Sequence, residues 1–124
     1  MEIKKEKPNR DQVIAKALTS LMSSLDISQQ TIGDIIGLST SSICRLSEKG
    51  GSVFSHNKKS AEHAALFLRA CRSLKSIVGS ATNMKLWLNA ENSDFDGKAP
   101  IDLLKHTEGL IDVCRYLDSM RGKI

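Results

Sequence analysis

Arg45 is the residue of this chain best suited to recognition chemistry. A guanidinium can pair with both acceptors on the major-groove edge of guanine. Three hydroxyl residues, Thr40, Ser41 and Ser42, precede it within about one helical turn. With Gln29 and Lys49 they supply the donors and acceptors that meet base edges or phosphates. Nothing comparable is present for catalysis. Cys44, Cys71 and Cys114 are odd in number, far apart and lack Cys-x-x-Cys spacing. His56, His63 and His106 do not pair with them at metal-ligand spacings. Cys71 reads as a small buried hydrophobe, because no histidine stands where it could activate the thiol on the same face. Asp94 and Asp96 lack the spaced acids and closing glutamate of a calcium loop. No phosphate loop, nucleophile–base pair or paired acids stand at a useful spacing. The expectation is a protein with no catalytic residues, metal or cofactor.

The polar residues need elements that present them, and residues 29–46 provide these. Ile32, Ile35 and Ile36 share one face of a short helix running from Gln29 to Ile36. Gly37 closes that helix in the left-handed conformation. Leu38 fills the corner, and Ser39 caps a second helix. There Ile43 and Leu46 turn inward, leaving Thr40, Ser41, Ser42, Cys44 and Arg45 outside. Two helices joined by a tight turn, the second polar on its free face, form a DNA-reading unit. An ordinary helical hairpin in a small bundle is the alternative that spacing alone leaves open.

The rest of the chain reads as all-α. Residues 1–10 form a charged arm containing Pro8, either solvated or reaching DNA. From Asp11, the pattern Val13, Ile14, Ala17, Leu18, Leu21, Met22, Leu25 predicts an amphipathic first helix. A loop follows Gly50-Gly51 and tucks Val53 and Phe54 into the core, while Lys58 and Lys59 either meet phosphates or form a solvated pair. Ser60 is expected to cap a long helix from Ala61 to Val78, with Phe67 at the margin of its apolar stripe and Gly79 closing it. A short helix over 83–90 carries the only tryptophan, Trp87. Residues 91–99 form a polar turn that places Phe95 on the core. Pro100 opens a helix over 101–105, Thr107 caps the last helix, and Gly122 breaks it. The expected organisation is an arm over 1–10, a DNA-binding unit over 11–59, a bridging helix over 60–80 and a helical subdomain over 81–124.

With 124 residues, 18 Lys and Arg against 14 Asp and Glu, and a net charge of +4, the chain is compatible with nucleic acid but not diagnostic of it. Binding through the backbone alone would be weak, so a twofold partner is expected. No signal peptide or membrane span is evident, and a reduced cytoplasmic protein is the expectation.

Residues 28–46 resemble the helix-turn-helix of the Xre-type regulators. Ser28-Gln29 matches the pair that opens the second helix, Gly33 the small residue at the tightest contact, and Gly37-Leu38-Ser39 the turn. Ile43 and Leu46 match the buried positions. Ser47-Glu48-Lys49-Gly50 carries one residue more than the usual end of the recognition helix. The C-terminal part resembles the toxin-binding domain of the Xre/MbcA/ParS antitoxins, through Trp87-Leu88, Gly97-Lys98, Pro100, Leu103-Leu104, Gly109 and Gly122. It departs from that pattern at Asp94-Phe95-Asp96-Gly97, where relatives carry a Leu-Gly-Gly run, and at Cys114. The resemblance implies an Xre-like bundle continuous with a small helical toxin-binding subdomain. It also implies the antitoxin of a type II toxin–antitoxin pair, whose partner is a RES-domain toxin that consumes NAD. Such an antitoxin represses its own operon through operator DNA and covers the entrance to the toxin's active site. Trp87, Arg115, Arg121, Gly122, Lys123 and Ile124 are the expected toxin contacts, and the arginines and Lys123 also suit the negative end of the last helix. A homodimer, or a higher hetero-oligomer with toxin, is expected. The alternative function is a stand-alone regulator whose C-terminal half only dimerises.

Overall fold

The computed structural model describes residues 9–122. Most of the expected arm, together with Lys123 and Ile124, lies outside the described residues. The fold is all-α: α1 Arg10–Leu25, α2 Gln29–Ile36, α3 Thr40–Cys44, α4 Leu46–Lys49, α5 Lys58–Val78, α6 Ala81–Asn89, α7 Pro100–Leu103 and α8 Thr107–Gly122. Two short 3-10 turns, Gly50–Phe54 and Ser93–Phe95, complete it.

The helix-turn-helix follows from its caps. Ser28 accepts from the Thr31 amide and opens α2, and Gly37, at φ 77°, ends it with its own N–H on the Gly33 carbonyl. Ser39 accepts from the Ser42 amide and opens α3. A Cβ on Gly33 would lie 2.5 Å from the Leu38 carbonyl oxygen, so only glycine permits this approach. Ile32, Ile35, Ile36, Ile43 and Leu46 are all buried, as their spacing predicts.

One hydrophobic core serves both parts of the chain, running from Ile14 and Leu18 through Ile32, Ile43 and Phe67 to Leu104, Leu110, Val113 and Leu117. Helix α5 is its axis, packed on α1, α2, α6 and α8. Ion pairs add ties across these seams: Arg10 to Glu62 at 3.0 Å, Lys85 to Asp26 at 2.9 Å, and Arg69 to Asp118. Each is exposed and therefore contributes at most about 1 kcal/mol. Ser73, buried on α5, hydrogen-bonds to the same Asp118.

Several expected details are corrected. Helix α5 starts at Lys58, three residues before Ala61, and its cap is Asn57, whose side-chain oxygen accepts from the Ser60 amide. The Ser60 hydroxyl instead donates to the Gly37 carbonyl, joining α5 to the helix-turn-helix corner. Lys58 and Lys59 thus belong to the first turn of α5. Phe67 is fully buried rather than marginal, whereas Val13, expected in the α1 stripe, is 53% exposed. Helix α1 begins at Arg10 on an Asn9 cap, and α6 at Ala81 on a Ser80 cap. Helix α7 runs Pro100–Leu103 rather than 101–105. Thr107 is the first residue of α8, and its hydroxyl meets Nε2 of His63 at 2.9 Å. Gly122 still lies within α8.

Candidate functional site

Two faces carry the expected functional residues. On the first, α3 is short. It stops at Cys44, Arg45 takes a backbone bend at φ −86° and ψ −3°, and α4 restarts at Leu46. Residues 40–49 thus form two short helices rather than one longer one. Ile43 and Leu46 anchor both, and the polar residues stay outside.

Ser42, Arg45 and Lys49 form one wall of an open cleft of about 530 Å³. Ser52, Ser55, His56 and Asn57 form the other wall. In the free chain the Arg45 Nε donates to the Ser41 carbonyl at 3.2 Å, which holds the exposed guanidinium along its own helix. The Ser42 hydroxyl is 3.0 Å from that of the capping Ser39. Gln29, Thr40 and Ser41 are exposed but do not line the cleft. His56, Ser52 and Ser55 were not anticipated as members of this face. The one available signal was the polar run that follows Gly50-Gly51.

The second face is aromatic. Trp87 on α6 lies edge-on to Phe95, with ring centroids 6.0 Å apart, and stacks on Tyr116 of α8 at 6.2 Å and 19°. Phe95 and Tyr116 are closer still, at 4.9 Å. The Tyr116 hydroxyl donates to the Asp94 carboxylate at 2.7 Å, and this bond pushes the phenol above its ordinary pKa. All three rings are half-buried. Phe95 reaches them because Asn92 accepts from the amides of Phe95 and Gly97 and closes the 92–98 turn. Asp94 is thereby a tyrosine acceptor, and no cluster of metal-ligating side chains occurs among the described residues.

The expected cations do not gather in one patch. Arg115 is exposed beside Tyr116, and Arg121 is exposed in the last turn of α8. Six residues apart, at about 100° per residue, they differ by about 120° around the helix. Gly122 is exposed next to Arg121. Tyr116 and Phe95 are the members of this face that spacing did not reveal.

The cysteines divide in the same way. Cys44 is exposed on the free side of α3, whereas Cys71 and Cys114 are buried between α5 and α8. Burial pushes the Cys71 thiol up to about 12, with the neighbouring Cys114 adding to the effect. Cys114 is raised by burial as well, and its thiol donates to the Leu66 carbonyl. Neither is a thiolate nucleophile at neutral pH.

Residues 73–123 match the family model of the antitoxin Xre/MbcA/ParS C-terminal toxin-binding domain. The matched segment begins inside α5 and spans α6, α7 and α8, so it contains the whole aromatic face together with Arg115, Arg121 and Gly122. No curated protein matches the chain. No helix among the described residues is long and apolar enough to cross a membrane.

Proposed function

We propose that this chain is the antitoxin of a type II toxin–antitoxin pair. It binds and blocks a RES-domain toxin that consumes NAD, and it represses its own operon through the helix-turn-helix. The family match over residues 73–123 is the observation that carries the reading. The toxin contact is placed on Trp87, Phe95 and Tyr116 with Arg115, Arg121 and Gly122 around them. Trp, Tyr and Arg are the residue types that dominate binding energy at protein interfaces. Blocking requires only contact, so the NAD chemistry belongs to the toxin and this chain supplies no reacting group.

DNA contact is placed on the cleft that joins α3 to the turn after it. Arg45 reads a guanine, Ser42 and Lys49 support it, and Gln29, Thr40 and Ser41 reach neighbouring phosphates or base edges. His56 faces them from the opposite wall. The caps that hold α2 and α3, and the glycine-limited corner between them, support this placement.

Co-expression with a RES-domain protein encoded beside this gene tests the first part. The expected result is a stable complex in which NAD consumption by the toxin is blocked. A chain that purifies as a homodimer and leaves the toxin active would instead favour the stand-alone regulator. For the second part, Arg45→Ala is expected to weaken operator binding by roughly 1–3 kcal/mol and to leave toxin binding unchanged. Equal operator affinity of variant and parent in a gel-shift titration would remove Arg45 from the interface.

A further inference from the structure

The aromatic face is set in an acidic surround. Trp87, Phe95 and Tyr116 pack on one another yet stay half-buried, so each ring keeps surface open to solvent. The turn that carries Phe95 also holds three exposed acids, Glu91, Asp94 and Asp96, against one exposed base, Lys98. On α8, Asp112 stands one helical turn before Tyr116 and is offset by Arg115. None of these six makes an ion pair among the described residues. Lys85, the one charged residue of α6, is paired with Asp26, and Asp118 with Arg69. The surroundings of the rings thus sum to −2, in a chain whose net charge is +4. Adding Arg121 at the end of α8 leaves the sum negative.

Asp94 is the acid whose position is fixed against the rings. Its Oδ2 accepts the Tyr116 hydroxyl at 2.7 Å, and its backbone amide donates to the Asn92 side chain at 2.9 Å. Its Oδ1 takes no hydrogen bond among the described residues, so one carboxylate oxygen stands free at the edge of the ring cluster. Aromatic faces carry the negative side of a quadrupole and draw cations. We infer that this face seats an arginine side chain of the partner protein, its guanidinium on the exposed rings and an N–H on Asp94 Oδ1. A guanidinium fits better than an ammonium, because it stacks on aromatic faces and is less strongly hydrated. The negative surround complements a basic segment and opposes an acidic one. The inference rests on the toxin reading only for the partner's identity, and it names the chemistry that the partner brings to this face.

Trp87 is the only tryptophan of the chain, so its fluorescence reports on the face directly. The experiment titrates the full chain with hexa-arginine, hexa-lysine and hexa-glutamate peptides at low salt. Hexa-arginine is expected to change the Trp87 emission saturably, to bind at least about threefold more tightly than hexa-lysine, and to weaken as salt rises. Hexa-glutamate is expected to leave the emission unchanged. Asp94→Asn keeps an acceptor for the Tyr116 hydroxyl and is expected to weaken hexa-arginine binding by about threefold. Asp34→Asn removes the same charge from an exposed position on α2 and is expected to leave binding unchanged. Circular dichroism verifies the fold of both variants.

No saturable change with hexa-arginine up to millimolar concentration overturns the inference. So does an equal response to hexa-glutamate, an Asp94→Asn variant that binds like the parent, or an equal loss from Asp34→Asn. Hexa-lysine that binds as tightly as hexa-arginine overturns the assignment to arginine. With the RES-domain toxin in place of the peptides, the association rate is expected to fall as salt rises, and Asp94→Asn to flatten that fall. A RES-domain protein that does not bind the chain counts against the toxin reading alone, and the peptide titration still decides the face.

Discussion

The two candidate faces are built by opposite means. The helix-turn-helix positions its polar residues with backbone devices, each acting within a few positions in the chain. Ser28 and Ser39 cap, Gly37 ends α2, and Gly33 admits the corner. The aromatic face is assembled from Trp87, Phe95 and Tyr116, which come from a helix, a turn and another helix. Local devices set a helix end to the residue. Long-range packing sets a surface that no short stretch contains. Yet both faces rest on one core through α5, so they must stand or fall together as folded units.

That shared core gives the largest expected effect. A Cβ at Gly109 would lie 2.1 Å from the Leu103 carbonyl oxygen, and a backbone atom cannot swing aside. Gly109→Ala is expected to cost about 3 kcal/mol, and Gly33→Ala about 2 kcal/mol at its 2.5 Å contact. In urea both variants are expected to unfold in one transition, followed alike by the Trp87 fluorescence and by helical dichroism. Two separated transitions, each shifted only by the glycine in its own half, would break the picture of a common core.

Alkaline pH probes the seam between the halves. Cys71 and Cys114, buried between α5 and α8, hold their protons above the ordinary thiol range, with Cys71 at about 12. The unfolded chain releases those protons first, so the native state binds more protons above about pH 9 and loses stability as pH rises. The stabilisation is complete below the unfolded pKa and declines by at most about 1.4 kcal/mol per pH unit for each thiol. Urea midpoints between neutral pH and pH 10.5 measure the decline, and Cys71→Ala is expected to flatten it. An equal slope in the variant would assign the alkaline loss elsewhere.

A cap has a smaller effect. Ser39→Ala removes the acceptor for the Ser42 amide and is expected to cost about 1 kcal/mol of stability. Operator affinity should fall with it, because α3 has only five residues and one cap. Toxin affinity should not. A matched loss of both affinities would mean that the two faces communicate through α5.

What could be read in advance follows the same division. Every boundary of α2, the inward set Ile32, Ile35, Ile36, Ile43 and Leu46, and the tight contact at Gly33 follow from neighbouring residues. Ser60 misled because its hydroxyl is taken by the Gly37 carbonyl, 23 residues away, which leaves the capping to Asn57. Thr107 misled for the same reason, with His63 as the distant partner. Val13 has the spacing of a core residue but stays 53% exposed, on the open surface between α1 and α5. Of the polar cleft, Ser42, Arg45 and Lys49 were legible from helical spacing. His56 was not, since a turn carries no periodicity to read. Trp87 stood out by its type and its resemblance, whereas its ring partners depend on the fold.

The smallest expected effect separates shape from charge at the aromatic face. Tyr116→Phe keeps the stack on Trp87 and the contact with Phe95, and removes only the hydroxyl that donates to Asp94. That bond is solvent-exposed, so the stability cost is expected at about 0.5 kcal/mol, the low end for a hydrogen bond. If the face acts through its rings, toxin affinity changes by less than about threefold, whereas Trp87→Ala lowers it by at least about tenfold. A large loss from Tyr116→Phe alone would shift the weight from the rings to the Asp94 latch. The 92–98 turn, which that hydroxyl ties to α8, would then be the element the toxin reads.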